Sequence, residues 1–191
     1  RLGLTGTTPI WSTKFDKYAG LFENGGSFDI PGSVSAGLAW DATKDLTLML
    51  DWRHIFYSQV GAVGNTSTTL GGVLLGLPGG PGFGWSDVDA VSIAAAYKAS
   101  KDLTLRVGYS HNTNPISSSD AMFNIFAPAT VTDHLSAGAS YAISPNSGIE
   151  LAVGYVPRHS VTGVTPLPLG GQGVRLSMEQ WEASVGYTYK F

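Results

Sequence analysis

Side-chain character alternates with a period of two along most of this chain. From Trp181 to Phe191 the odd-numbered residues are mainly aromatic or aliphatic, whereas the even-numbered residues are small or polar. Successive side chains of a β-strand leave opposite faces of the sheet, so this alternation predicts a strand with one apolar face. The same pattern recurs at residues 33–40, 46–53, 91–97, 103–112, 134–143 and 149–156. With a less regular strand between Leu2 and Phe15, the sequence predicts about eight strands and an all-β fold.

The segments between the predicted strands alternate in length. Short polar turns are expected at residues 42–45, 99–102 and 144–148, and long loops at residues 16–27, 59–85, 113–131 and 157–176. Strands of about ten residues, with short turns at one end and long loops at the other, are typical of antiparallel transmembrane β-barrels. Aromatic residues near the strand ends fit the two interface girdles of such a barrel. The girdle at the short turns is predicted to contain Trp40, Tyr97, Tyr141, Tyr189 and Phe191, and the opposite girdle Trp52, Phe56, Tyr109, Tyr155 and Trp181.

Composition separates a membrane barrel from a soluble sheet. A soluble β-sandwich also has alternating strands, but its polar face meets water and carries many charges. Only 13% of the residues are charged, which is about half the usual share of a soluble domain. The polar face consists mostly of Ser, Gly, Ala and Thr, so a membrane barrel is favoured.

The sequence gives little support for other functional classes. A net charge of −3 provides no basic surface for nucleic acid. The chain has no cysteine, and its four histidines lack the spacing of metal ligands. No Gly-x-Ser-x-Gly motif exposes a nucleophile. We therefore predict no enzymatic activity, metal or cofactor, and keep a barrel-embedded hydrolase, with a triad assembled across strands, as the enzymatic alternative.

The predicted inward faces are too small to fill a barrel of eight strands. Such a barrel has an interior just wide enough to be packed by its own side chains, which requires bulky residues. Residues 1–191 are therefore expected to form a single β-barrel segment, either part of a larger barrel or completed by other copies.

Several strings at turn and loop positions resemble the FadL/TodX-type family of outer-membrane transporters. They are FDKYAGLF (15–22), GGSFDIP (25–31), IFYS (55–58), GFGWSD (82–87), YSHNTNPI (109–116), FNIFAPA (123–129) and HLS (134–136). The resemblance extends from Phe15 to Phe191 and implies a 14-stranded barrel in the outer membrane of a Gram-negative cell. The chain would supply its C-terminal strands, with the N-terminal plug and the first strands absent. The aromatic C-terminus at Phe191 is similar to the signal by which the barrel-assembly machinery recognises such proteins.

The resemblance also implies passive uptake of long-chain fatty acids or aromatic hydrocarbons. Expected partners are outer-membrane lipids, a hydrophobic small molecule, the assembly machinery, and other copies or the missing N-terminal part. The alternative function is a structural or self-assembling outer-membrane barrel without transport activity.

Two loops are candidates for binding substrate. Residues 18, 21 and 22 share one face of a helical turn, so Tyr18, Leu21 and Phe22 are expected to capture apolar solutes at the barrel mouth, or simply to close the loop. The next loop is unexpectedly apolar, and Leu74 and Leu75 are assigned there as substrate-binding residues. The other apolar residues of that loop are Leu70, Val73 and Leu77.

Six residues are expected to line the lumen as a charge network across adjacent strands. They are Asp51, Arg53, Arg106, His134, Glu150 and Glu182. Their expected role is to fix the plug or the strand register. In the alternative, Arg53 or Arg106 binds a fatty-acid carboxylate, which suits the bidentate geometry of arginine.

Overall fold

The chain folds into one antiparallel sheet of eight strands. The computed structural model describes residues 1–67, 73–165 and 170–191. The strands are β1 (Leu2–Thr7), β2 (Ser33–Asp41), β3 (Leu46–Ile55), β4 (Val88–Lys98), β5 (Leu103–Asn112), β6 (Asp133–Ser144), β7 (Ser147–Val164) and β8 (Gly173–Tyr189). Each strand pairs with the next along the chain, which leaves β1 and β8 at the two edges. The all-β antiparallel fold and the number of strands are therefore confirmed.

Among the residues that the structure describes, the helical elements are single turns in the loops. The 3₁₀ turns are Asp16–Tyr18, Tyr57–Gln59 and Phe123–Ile125, and the α-helical turns are Glu23–Gly26 and Gly61–Gly64. Within the described ranges, no helix has the length and apolar character needed to span a bilayer.

The strand register separates the side chains onto two faces. One continuous row across β2 to β8 consists of Leu38, Leu50, Ile93, Tyr109, Leu135, Tyr155 and Trp181. The row of positions one residue away, on the opposite face, includes Gly37, Asp51, Ser92, Ser110 and His134. We call these the apolar face and the small-residue face. A slip of one residue in any pair would exchange the two faces of that strand.

The hairpin of β7 and β8 is longer than the sequence predicted. A loop was expected at residues 157–176, but β7 continues to Val164 and β8 begins at Gly173, so that expectation is wrong. A register shift between Val156 and His159 marks a bulge where the hairpin leaves the level of β6. Beyond it, Val161, Val174 and Leu176 pack against loop residues 116 and 121, and this packing extends the pairing.

The buried residues lie at the long-loop end of the sheet. Those that are apolar are Val60, Ala62, Val63, Val88, Ile116, Ala121, Val156 and Leu176. Most belong to the described parts of residues 56–87, 113–132 and 157–176, which we call the cap. The middle of the sheet contributes none of them, because neither of its faces is covered by another part of the described chain.

Three aromatic side chains on the apolar face are paired with carboxylates. At the long-loop end, each of three aromatic residues donates a hydrogen bond to a carboxylate on the neighbouring strand. The pairs are Trp52 Nε1 to Asp89 (3.0 Å), Tyr109 Oη to Asp133 (2.6 Å) and Tyr155 Oη to Glu179 (3.2 Å). Each carboxylate also contacts a basic side chain, respectively His54, His111 and Arg158. Polar and charged side chains therefore accompany the aromatic ones at this end of the apolar face.

Candidate functional site

A partly open apolar cavity of about 270 Å³ lies on the small-residue face, where the sheet meets the cap. The sheet contributes Ile55, Val88, Ala90, Asn112 and His134. The cap contributes Tyr57, Trp85, Pro115, Ala129 and Val131. The rings of Tyr57 and Trp85 meet at 5.1 Å and 83°, an edge-to-face arrangement. The lining is thus mainly aliphatic and aromatic, with Asn112 and His134 as its polar side chains on the sheet.

Hydrogen bonds fix the position of Trp85 in the cavity wall. Its backbone N–H donates to Val63 O at 3.0 Å, and its indole Nε1 donates to Asn124 Oδ1 at 2.6 Å. The Asn124 side chain is fully buried and donates in turn to Phe83 O and Asp120 O. Because both ends of the tryptophan are held, the cavity has a defined aromatic wall without a ligand.

Asp120 joins the two loops that cover the cavity. It is only 3% exposed, and its carboxylate accepts hydrogen bonds from Thr66 Oγ1, Ser67 N and Oγ, Ser117 Oγ and Ser119 Oγ at 2.6–3.2 Å. Burial by itself raises the pKa of this carboxyl, but the hydrogen bonds from Ser117, Ser67 and Thr66 together lower it below its usual value. Asp120 is therefore a buried anion that ties residues 66–67 to residues 117–120.

The two loops predicted to bind substrate lie against each other. Backbone N–H groups of Asn24 and Gly25 donate to Leu77 O (3.3 Å) and Gly76 O (2.7 Å). Gly76 has φ +83° and lies so close to Ala19 O that a side chain could not be placed there. The exposed apolar residues of the pair form what we call the outer patch. It consists of Tyr18, Leu21, Leu74, Leu75 and Leu77.

Phe22 is placed differently from Tyr18 and Leu21, the other two residues of its loop that were predicted to capture apolar solutes. Its ring contacts those of Phe15, Tyr18 and Phe28 at 5.0–6.5 Å, and it is half-buried inside its own loop. These ring contacts are the ones expected if Phe22 closes its loop instead of capturing solute. Leu70, which the sequence placed in the apolar loop, lies outside the described residues.

The six predicted lumen residues all lie on the small-residue face, but they do not form a continuous charge network. Arg106 Nη1 donates to Ser140 Oγ at 2.5 Å, and Ser140 Oγ donates to Glu150 at 3.4 Å. Arg53 Nη2 donates to Ser33 Oγ at 3.2 Å. In the described part of the chain, no ion pair joins two of the six residues. Only His134 lines the cavity.

Sequence reasoning missed Tyr57, Trp85 and Asp120. Tyr57 and Trp85 belong to two of the strings that resemble the transporter family, which was the available signal for them. Asp120 had no signal, because its partners at residues 66–67 lie more than fifty positions away in the sequence.

Comparisons with known proteins agree with this architecture. The sequence profile of the family described as outer membrane protein transport protein (OMPP1/FadL/TodX) matches residues 24–191. The P. putida toluene transporter TodX is 24% identical over 86% of this chain and 35% of its own, with a TM-score of 0.60. A TodX deltaS2S3 mutant, described as a monoaromatic hydrocarbon channel, is 28% identical over 86% of this chain and 36% of its own, with a TM-score of 0.62. A Pseudomonas aeruginosa FadL homologue has 19% identity, coverage of 85% and 36%, and a TM-score of 0.60.

The chain therefore spans about a third of the length of these solved structures. No curated protein gave a significant match. The matched residues include β2 to β8, the cap and the cavity lining. With its apolar and small-residue faces and its open edges, the sheet is a partial transmembrane barrel, and the chain belongs to the OMPP1/FadL/TodX family of outer-membrane transport proteins.

Proposed function

We propose that this chain is part of an outer-membrane channel for passive uptake of hydrophobic compounds, and that the cavity beneath the cap binds them. The single observation that carries this proposal is the cavity lining. Its aromatic pair and aliphatic side chains suit an uncharged solute, and no Lys or Arg is among the residues that line it. Arg53 is paired with Ala90 of the lining, but its guanidinium donates to Ser33 on β2.

The size of the cavity favours a compact substrate, and we place a single aromatic ring in it. An enclosed apolar cavity of roughly 150 Å³ holds benzene, and this partly open cavity of about 270 Å³ has room for one aromatic ring. TodX, a family relative, is a toluene transporter. A long-chain fatty acid would need more apolar length and a cationic partner for its carboxylate.

Binding in such a cavity is weak enough for onward passage. Burying roughly 150 Å² of apolar solute at ~25 cal/mol per Å² gives about 4 kcal/mol before the entropy cost of association. Passive conduction requires a binding site that the solute enters readily and also leaves readily. In this scheme the outer patch collects solute at the surface, and the concentration gradient drives it through the cavity into the lumen.

The test is to fill the cavity from the sheet side. Phe at position 90 would occupy the space between β3 and β5 without disturbing the backbone pairing, so Ala90→Phe is expected to lower the initial uptake of radiolabelled toluene about tenfold. The complete barrel is expressed in intact Gram-negative cells lacking another channel for the solute. Ala96→Phe, on the same strand and face but near the short-turn end, is the matched control and should retain uptake.

The outcomes separate the functional classes. Uptake by Ala90→Phe equal to that of the unaltered protein would contradict the cavity assignment. An unaltered barrel that assembles but carries neither toluene nor palmitate would instead favour the structural or self-assembling barrel. Uptake of palmitate alone would overturn the choice of an aromatic substrate.

A further inference from the structure

Five aromatic rings form a continuous series from an exposed position on the cap to the cavity. Successive ring centroids are separated by 6.3 Å (Phe126 to Phe123), 5.6 Å (Phe123 to Phe83), 6.2 Å (Phe83 to Trp85) and 5.1 Å (Trp85 to Tyr57). All four separations are within the 4.5–7 Å range of favourable aromatic contacts. The last two rings line the cavity. We call these five residues the ring series.

The ring series is not the hydrophobic core of the cap. Phe126, at its outer end, is 82% exposed, and the other four rings are only half-buried. The buried apolar cluster of the cap is formed by Ile116, Ala121 and Leu176, and of the five rings only Trp85 is among the residues that pack against it. An aromatic residue that served only to stabilise the loops would be expected to bury most of its surface, since burial is the source of that stabilisation.

The backbone around the rings is held by polar contacts rather than by the rings themselves. Asn124 lies between Phe123 and the exposed end of the series, and its side chain bonds to Phe83 O, Asp120 O and the Trp85 indole. Asp120 closes the same loops through its hydroxyl and backbone partners. The ring faces therefore remain available along a path whose two ends are an exposed surface and a cavity.

We propose that the ring series is an access route for uncharged aromatic hydrocarbons, separate from the outer patch, that delivers them to the cavity. This inference rests on the proposed function. An aromatic solute at Phe126 can contact the next ring before it leaves the first, because adjacent centroids are about one ring contact apart. At each step the solute exchanges one aromatic contact for another, so no step requires full return to water.

Single and double truncations test whether the rings act in series. Phe126→Ala and Phe123→Ala are each expected to lower toluene uptake at subsaturating concentration about threefold to fivefold in intact cells. Because the rings form one path, the double variant should be no slower than the slower single variant. Phe126→Leu should retain most of the uptake, because leucine keeps the apolar surface. Equilibrium binding of bromobenzene to the purified barrel should be unchanged in Phe126→Ala, since that residue does not line the cavity.

Trp11→Ala is the matched control, because Trp11 is a similarly exposed ring (76%) in another outer loop and contacts no ring among the described residues. It should leave uptake unchanged. If Phe126→Ala and Phe123→Ala take up toluene normally while Ala90→Phe does not, this inference is overturned and the proposed function still stands. A barrel that carries no toluene even when unaltered would remove the proposed function itself. Equal losses in Trp11→Ala would show that general surface hydrophobicity, not the ring series, sets the rate.

Discussion

The wall of the barrel and the cap are stabilised in different ways. The wall consists of the paired strands outside the cap, whose side chains remain largely exposed on both faces of the isolated sheet. It is held mainly by the continuous backbone pairing from β1 to β8. The cap contains most of the buried apolar residues and also the buried polar residues Ser67, Asp120, Asn124, Thr130 and Thr132. Packing on the faces of the wall therefore requires partners outside the described chain, whereas the cap packs against itself.

This difference explains where the candidate site lies. A wall of small residues leaves space on one of its faces, and the hydrogen-bonded cap converts part of that space into a cavity. Aromatic groups held by buried hydrogen bonds do not need to be ordered by the ligand, which lowers the entropy cost of binding. The site is accordingly at the junction of the two regions, not in the middle of the lumen.

Removal of the Asp120 carboxylate is expected to have the largest effect, and only on the cap. Asp120→Ala leaves several buried donors without an acceptor, which should cost about 4 kcal/mol of local stability. Hydrogen exchange and limited proteolysis should show residues 56–67 and 113–132 opening, while the strands keep their protection. Asp29→Ala is the matched control, because Asp29 accepts hydrogen bonds from Ser12 in an exposed loop and should cost only about 0.5 kcal/mol. Loss of the strands together with the cap would show that the two regions are not separate.

Asp120 also makes the stability of the cap depend on pH in the acidic range. The pKa of Asp120 is lowered in the folded protein. The stability that its ionised carboxylate contributes to the cap is therefore fully present above the ordinary carboxyl pKa of 3.8. That contribution is lost as the pH falls through the lowered value. Protease resistance of the cap should therefore persist to about pH 4 and decline below it, and Asp120→Asn should remove this dependence. A decline centred near neutral pH would contradict the assignment.

A charge placed in the wall should distinguish its two faces. Val107 lies on the apolar face and Ala94 lies on the small-residue face at nearly the same level, since Val107 is paired with Ala95. Val107→Arg should destabilise the barrel in lipid by about 3 kcal/mol, because arginine at the bilayer midplane is costly. Ala94→Arg, on the face that we assign to the lumen, should cost less than about 1 kcal/mol. Urea unfolding in lipid vesicles measures both, and the reverse order would invert the assignment of the faces.

A pair of glycines gives a smaller and more local comparison within the cap. Gly84 (φ +70°) and Gly79 (φ +72°) have similar left-handed backbones, but a Cβ at Gly84 would overlap the Asp120 carboxyl, whereas a Cβ at Gly79 meets no atom. Gly79→Ala should cost about 1 kcal/mol from backbone strain alone, and Gly84→Ala about 2 kcal/mol. Hydrogen exchange in the cap measures the difference. Equal costs would mean that the carboxylate moves aside freely.

The wall could be predicted from the sequence and the cap could not. Alternation at positions such as 181–191 fixes which side chains share a face, and this depends only on neighbours in the sequence. The extension of β7 beyond Val156 could not be foreseen, because Val161 and Leu176 gain their partners from a different loop. The contacts of Asp120 with Ser67, and of Trp85 with Asn124, likewise join segments distant in the chain. The outer patch was predictable in part. Its apolar residues could be identified from the sequence, but the contact between its two loops could not.

The central claim is that the cavity at the junction of wall and cap binds an uncharged aromatic ring. Anomalous diffraction from crystals of the complete barrel soaked with bromobenzene tests it most directly. We predict a bromine peak between the Tyr57 and Trp85 rings and the side chains of Val88 and Ala90, and its loss in Ala90→Phe. A peak confined to the outer patch or the lipid-facing surface, with the cavity empty, would contradict the account.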